Sequence, residues 1–214
     1  MSLIKSISGI RGTIGGKVDE NLTPLDVVKF ASAFGTWLQN NKNKKDLTLV
    51  VGRDARISGL MVNSLVTATL QGLGIHVVDL GISTTPTVEI MVPELKADGG
   101  IILTASHNPK QWNALKLLNE KGEFLNADAG ETVLKIASDE SFSFAPVDEL
   151  GKLTENNDYT RKHIESVLAL DLVDADAVRA AGFSVAIDCV NSVGGIVLPE
   201  LLEALGVKNI EKLY

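Results

Sequence analysis

A single cysteine, Cys189, stands among the 214 residues of this chain. One thiol cannot close an internal disulfide, so a disulfide framework is excluded and a reducing compartment is expected. Histidine is nearly as scarce, with three residues, and no Cys/His cluster has the spacing of a transition-metal site. Positive charge is outnumbered too: 20 Lys and Arg face 27 Asp and Glu, a net charge of −7 that disfavours a nucleic-acid partner. No apolar run approaches the length of a membrane span, so no membrane association is expected. The start, MSLIKSISGIRG, is too poor in apolar residues and too broken by glycine for a signal peptide. Internal repeats and low-complexity tracts are missing as well. What is left is a composition of 45% apolar and 22% charged residues, that of a soluble globular protein, with the cytoplasm as its expected location.

What is present alternates between strand and helix signals. TPLDVVKFASAFGTWLQ begins with Thr23 as a helix N-cap, Pro24 at the first helical position and Asp26 in the first turn. Val27, Ala31, Phe34 and Leu38 then share one face. LTLVVG has no polar face, the mark of a strand covered on both sides. SGLMVNSLVTATLQGLG reads as a helix opening at Ser58 and stopped by Gly72 and Gly74, IHVVDLG as a strand, TPTVEIMVPEL as a short helix and GGIILTA as a third strand. Strands joined by helical crossovers predict a parallel sheet. From Ser138 to Asp158 the texture turns polar and aperiodic, so a linker or domain boundary is expected there. Beyond it a helix (YTRKHIESVLAL), a strand (FSVAIDCV), a glycine turn and a helix (IVLPELLEALG) begin a second α/β unit, too short to close a core of its own. The expectation is an α/β protein. A three-layer α/β/α domain with a mixed, mainly parallel sheet spans residues 1–150, and the truncated start of a second, similar domain spans 151–214.

Three loops can carry chemistry. The first follows GGIILTA, where Thr104 and Ala105 lead into Ser106, His107, Asn108 and Pro109. Open α/β sheets collect ligands at the carboxyl ends of their strands, and a serine there can be a nucleophile or a phosphate carrier. The plainer alternative is a turn that Asn108 and Pro109 impose. A serine-hydrolase reading is weak, because the nucleophile elbow is absent and adjacent side chains on extended chain diverge, leaving His107 poorly placed as a base. The second loop is VVGRDARISG. Its Arg53 and Arg56 can hold a phosphate beside a helix N-terminus, or one of them can pair with Asp54 to steady the loop. The third, SGIRGTIGG, surrounds Arg11 with Ser8, Gly12 and further glycines and reads as a flexible loop able to approach a ligand, or else as a mobile arm or hairpin. It lacks the strand–turn–helix context of a dinucleotide fingerprint. His76 and His163 read as structural or solvated, and Cys189 as a buried, inert thiol.

Taken together the three loops resemble the α-D-phosphohexomutases: phosphoglucomutase, phosphomannomutase and phosphoglucosamine mutase. TASHNPKQWNALK resembles the family's phosphoserine loop, GRDARISG a second motif, SGIRG the N-terminal loop near the substrate, and VAIDCVNSVGG the start of the second domain. Ala114, after Asn113, stands where the family usually has glycine, which bears on the placement of Lys116. The resemblance implies a phosphoryl group on Ser106 and interconversion of hexose 1- and 6-phosphates through a sugar 1,6-bisphosphate. Lys116 would act as acid and base or stabilise charge, with His107 as a helper and with Arg11, Ser8 and Gly12 near a phosphorylated hexose. Thr104, Asn108, Pro109, Asn113, Arg53, Asp54 and Arg56 would support the loops. It also implies magnesium, bound by a phosphoserine oxygen at Ser106 and by aspartates of a later domain that this chain does not contain. A fragment of this kind would have little activity alone. The alternative is a non-catalytic phosphosugar-binding or regulatory module. The choice of sugar and the oligomeric state are not legible in these residues.

Overall fold

The computed structural model describes residues 1–6, 9–42, 44, 46–155 and 158–214. A β-hairpin, β1 (Ile4–Ser6) and β2 (Gly9–Thr13), leads into helix α1 (Pro24–Asn41). Thr23 caps α1 as expected: its side chain accepts from the Asp26 amide while the Asp26 carboxylate accepts from the Thr23 amide and hydroxyl. This capping box sits at the edge of the core, where Asp26 is fully buried, and the face made by Val27, Phe30, Ala31, Phe34 and Leu38 is buried with it.

Three parallel strands follow. They are β3 (Thr48–Arg53), β4 (His76–Ile82) and β5 (Gly99–Leu103), with α2 (Gly59–Gly72) and α3 (Thr85–Glu94) as crossovers. On β3, Leu49 and Val51 face the core under α1 and α2, while Val50 faces the one under α3, so both faces are covered. The chain then turns back as β6 (Trp112–Leu118), antiparallel to both β5 and β2. Helix α4 (Ala127–Asp139) packs beside α1, with Val133, Ile136 and Ala137 in the same core. The sheet order is β1-β2-β6-β5-β3-β4-β7, a mixed and mainly parallel sheet between two helical layers. The three-layer α/β/α expectation holds.

The polar stretch after α4 is tied down along its length. Phe142 packs on the core, the Ala145 amide donates to the Gly72 carbonyl (2.8 Å) and the Gly151 amide to the Gln71 carbonyl (2.8 Å). Its end forms β7 (Leu153–Glu155), which pairs parallel with β4 and lies past residue 150, so the large sheet runs on to Glu155. Beyond it, α5 (Tyr159–Leu168) packs on α3, with the Tyr159 hydroxyl donating to the Ile82 carbonyl (3.1 Å). Then come α6 (Ala175–Ala181), β8 (Ser184–Asp188), α7 (Gly194–Ala204) and β9 (Asn209–Leu213); β8 and β9 form a separate parallel pair. This second strand–helix–strand unit buries few side chains, Cys189, Val197 and Val207 among them. It has the outline of a second α/β domain without a closed core.

Two open points resolve. For the described part of the third loop, Gly9 onward, the hairpin alternative holds over the flexible loop: Arg11 sits in β2, paired with Ala114 of β6. Its Gly9 has φ +123°, and a Cβ there would lie 2.3 Å from the Leu115 carbonyl oxygen. The glycine lets two strands close on each other. Second, the methyl of Ala114 is accommodated without a slip in register, since β6 pairs continuously with β5 from Leu115 to Leu118. Lys116 accordingly stands opposite Ile102, on the sheet.

Candidate active site

Ser106 is presented by the end of β5. That strand is wholly buried, and its last carbonyl, of Leu103, accepts from the Asp54 amide (3.1 Å), which holds the carboxyl ends of β5 and β3 together. The Thr104 hydroxyl donates to Asp54 Oδ2 (2.7 Å) and accepts from the Ser106 amide (3.1 Å). A turn closes behind it, with the Asn108 amide and side-chain Nδ2 both donating to the Ala105 carbonyl (3.0 and 2.9 Å). Ser106 therefore adopts φ +53°, a left-handed conformation that costs a side-chain-bearing residue about 1–2 kcal/mol. The turn expected from Asn108 and Pro109 is present, and it leaves Ser106 exposed beyond the end of β5.

Arg56 holds this turn from below. Its Nε donates to Asp54 Oδ2 (3.1 Å), Nη1 to the carbonyls of Pro109 (2.9 Å) and Trp112 (3.0 Å), and Nη2 to those of Ser106 (2.6 Å) and Asn108 (2.8 Å). A guanidinium has five N–H donors, and all five are committed here. Between the two loop functions open to it, phosphate ligand or loop brace, Arg56 is the brace. Arg53 is also structural in its contacts: its Nη1 donates to the Asp54 carbonyl (3.3 Å) and its side chain lies along Gly59 at the start of α2. Ser58 caps no amide of that helix; its hydroxyl accepts instead from Nδ2 of Asn113 (3.0 Å), which is fully buried. Second-loop residues thus clamp both ends of the first loop.

The loop overhangs a cavity of about 300 Å³. Ser106, His107 and Asn108 form one wall; Arg11, Ala114 and Lys116 form another. Pairing of Arg11 with Ala114 places these residues side by side on the sheet, and alternation along β6 puts Lys116 on the same face. Ser6, Gly9 and Phe124 complete the rim. Among the described residues lining the cavity, Arg11 and Lys116 are the charged ones and there is no carboxylate, in a chain whose net charge is −7. Such a wall suits an anion, and a guanidinium matches the geometry of phosphate oxygens. Gly12 points the other way, packed against Leu22 and Leu3 beneath the hairpin, and does not line the cavity. Ser8 lies outside the described residues.

The profile described as phosphoglucomutase/phosphomannomutase, alpha/beta/alpha domain I, matches residues 3–144. The chain belongs to this family. A phosphoglucomutase/phosphomannomutase of Thermococcus kodakarensis is 36% identical over 199 residues, a match spanning 92% of this chain and 43% of that protein. A probable phosphoglucosamine mutase of Methanosphaera stadtmanae is 32% identical, with 97% of this chain and 44% of that protein covered. The crystal structure of a putative phosphomannomutase from Thermus thermophilus superposes with a TM-score of 0.82 at 24% identity, over all of this chain and 46% of the other, and shares the fold. The chain spans less than half the length of the relatives it matches.

Two features of this phosphohexomutase domain escaped the sequence reading. Phe124 lies 41% exposed at the cavity, with the Lys116 ammonium 5.6 Å from its ring centroid. Glu89 of α3 is the other: burial pushes its carboxyl above the usual range, while the Lys116 charge pulls it back down. Neither belongs to a motif. The signal available for Phe124 was an aromatic in the polar run NEKGEFLNAD, and it is faint. Among the described residues, no group of three or more His, Cys, Asp and Glu side chains could hold a metal ion. Asp54, linked to the serine loop through Thr104, has its oxygens committed to Arg56 and Thr104. The residues present do not fit a magnesium shell by themselves.

Proposed function

We propose that the chain is the N-terminal part of a phosphohexomutase, an intramolecular phosphotransferase that interconverts hexose 1- and 6-phosphates. The observation that carries this reading is a serine lifted into the left-handed region by a braced turn, facing a wall whose charges are Arg11 and Lys116. Phosphoryl transfer demands position and charge neutralisation, and this arrangement supplies both. Ser106 carries the phosphoryl group. When the group passes to a sugar hydroxyl, the bond from phosphorus to Ser106 Oγ breaks and a bond to the sugar oxygen forms. The hydroxyl proton is relayed to Ser106 Oγ as that oxygen leaves, so that no net proton is gained or lost. Lys116, giving one proton as it takes the other, and His107 are the residues on the wall that can pass it. The bisphosphorylated sugar then returns its other phosphoryl group to Ser106. Arg11 holds a phosphate of the sugar. A magnesium ion would take a phosphoryl oxygen at Ser106 and its remaining ligands from elsewhere in a longer protein. No step here depends on it.

Fold likeness and kinship to named mutases support the family-level part of this reading. The phosphoserine is tested by exposing the chain, extended to the length of its relatives, to glucose 1,6-bisphosphate and measuring intact mass, with fragmentation to locate any added group. The expected result is one phosphoryl group on Ser106 and none in Ser106→Ala. Binding of the sugar phosphate without any transfer, in a protein extended to the length of its relatives, would replace this reading with that of a binding module.

A further inference from the structure

Lys116 is the residue on which proton handling depends in the reading above, and a lysine side chain with four rotatable bonds does not hold its amine in place unaided. What surrounds it is a small built frame. After β6 the chain reverses through a turn closed by the Asn119 amide to the Glu123 carbonyl (2.8 Å) and the Gly122 amide to the Asn119 carbonyl (3.0 Å). The Asn119 side chain accepts from the amides of Lys121 (2.9 Å) and Glu123 (3.0 Å) and donates to the Glu123 carboxylate (3.0 Å). Gly122, at φ +77°, lies so close to α3 that a Cβ would come 2.0 Å from the Glu89 carbonyl oxygen. Glu120 is tied to Lys42 of α1 (3.2 Å). The turn is therefore fixed from both helical layers.

Its product is a bridge pairing Phe124 with Leu118. That places Phe124 diagonally across from Lys116, a spacing over which aromatic and long side chains meet. The ammonium lies 5.6 Å from the ring centroid, within the range of a cation–π contact. Phe124 is 41% exposed on the rim of the cavity, which leaves its ring open to the ammonium. We propose that Phe124 is a positioning residue for Lys116, holding the ammonium against its ring face at the rim of the Ser106 cavity so that the amine is set for the transferring group. The Glu89 carboxylate of α3 is near enough for the Lys116 charge to act on it.

This inference rests on the phosphotransferase reading for its purpose, but its geometry can be tested without it. In carbon–proton spectra of the intact chain, the Lys116 side-chain signal is assigned by its loss in Lys116→Arg. It should lie upfield of the other lysines, shifted by the aromatic ring. Phe124→Leu should return it to the bulk lysine position, and Phe124→Tyr should keep it upfield. Transfer from glucose 1,6-bisphosphate to Ser106 should slow about threefold in Phe124→Leu, the rate equivalent of an exposed cation–π contact, and recover in Phe124→Tyr. A Lys116 signal at the bulk position in the unaltered chain, or a Phe124→Leu variant that matches it in signal or in rate, overturns the proposal. The rates are read in the protein extended to the length of its relatives; should that protein accept no phosphoryl group, the phosphoserine reading fails and the spectra alone decide the role of Phe124.

Discussion

Replacing Arg56 by methionine keeps the bulk of the side chain and removes all five donors. Four carbonyls lose a partner, and those of Pro109, Ser106, Asn108 and Trp112 lie at or near the surface, where water can take over. Asp54 cannot be relieved so cheaply. Its side chain is 15% exposed and that of Arg56 11%, so the variant strands a mostly buried carboxylate with the Thr104 hydroxyl and the backbone amide of residue 56 as its remaining donors. Breaking such a pair from one side costs about 3–5 kcal/mol. Lysine at the same place keeps the charge but, as a compact point donor, cannot span four carbonyls and a carboxylate; a loss of about 2 kcal/mol is expected. Urea unfolding followed by circular dichroism measures both. Amide hydrogen exchange over residues 104–113 should accelerate in Arg56→Met before global unfolding does. Because one interaction is being broken, adding Asp54→Asn to Arg56→Met should cost far less than the sum of the single changes. A loss under about 1 kcal/mol for Arg56→Met, in the range of an exposed ion pair, would refute the brace.

Three other outcomes are expected. Ser106→Gly should stabilise the domain by about 1 kcal/mol by relieving the left-handed conformation, while Ser106→Ala brings no gain; equal thermal midpoints for the two would show that no strain is stored there. Gly9→Ala should destabilise by about 2–4 kcal/mol, since its Cβ meets the Leu115 carbonyl at 2.3 Å and its φ is +123°, and a thermal melt unchanged from the parent would contradict the close approach of the hairpin to β6. His163 is partly buried against α3, where its Nδ1 lies 2.9 Å from the Thr87 hydroxyl, and burial holds its pKa below the ordinary value. Its contribution to stability is thus complete above about pH 6.5 and is lost as the pH falls toward the lower folded value, because the unfolded chain binds the proton more readily. His163→Gln should flatten that part of a stability–pH curve, and an unaltered slope would exclude the residue as its source.

The parallel half of the sheet was legible because buried parallel strands are written as plain apolar runs: LTLVVG and GGIILTA could hardly be anything else. The antiparallel half was hidden. WNALKLL reads as chemistry rather than as a strand because Lys116 interrupts one of its faces, although Leu115 and Leu117 on the other face reach the core under α1 and Leu118 reaches the one under α3. Strand β7 could not have been seen, since Leu-Thr-Glu is exposed along its length and owes its conformation to pairing with β4. Helix α4 could have been, from Asn126 as N-cap and the Val133, Ile136, Ala137 stripe. In the site, the motif residues gather as their order suggested, while the division of labour between them did not show. Nothing local distinguishes an arginine that grips a ligand from one that grips its own backbone. Arg56 had to be seen against the carbonyls of a loop some fifty residues away.

That grip has a consequence for what the loop can become. Arg56 takes main-chain carbonyls, which every amino acid offers alike, and it touches no side chain between Ser106 and Trp112. Within the loop, Thr104 and Asn108 are the side chains that help to hold its contour. His107, Lys110 and Gln111 can be exchanged for other residues without redrawing the path of the chain. A scaffold of this kind separates the shape of a site from its vocabulary, and new recognition can be written onto an unchanged frame.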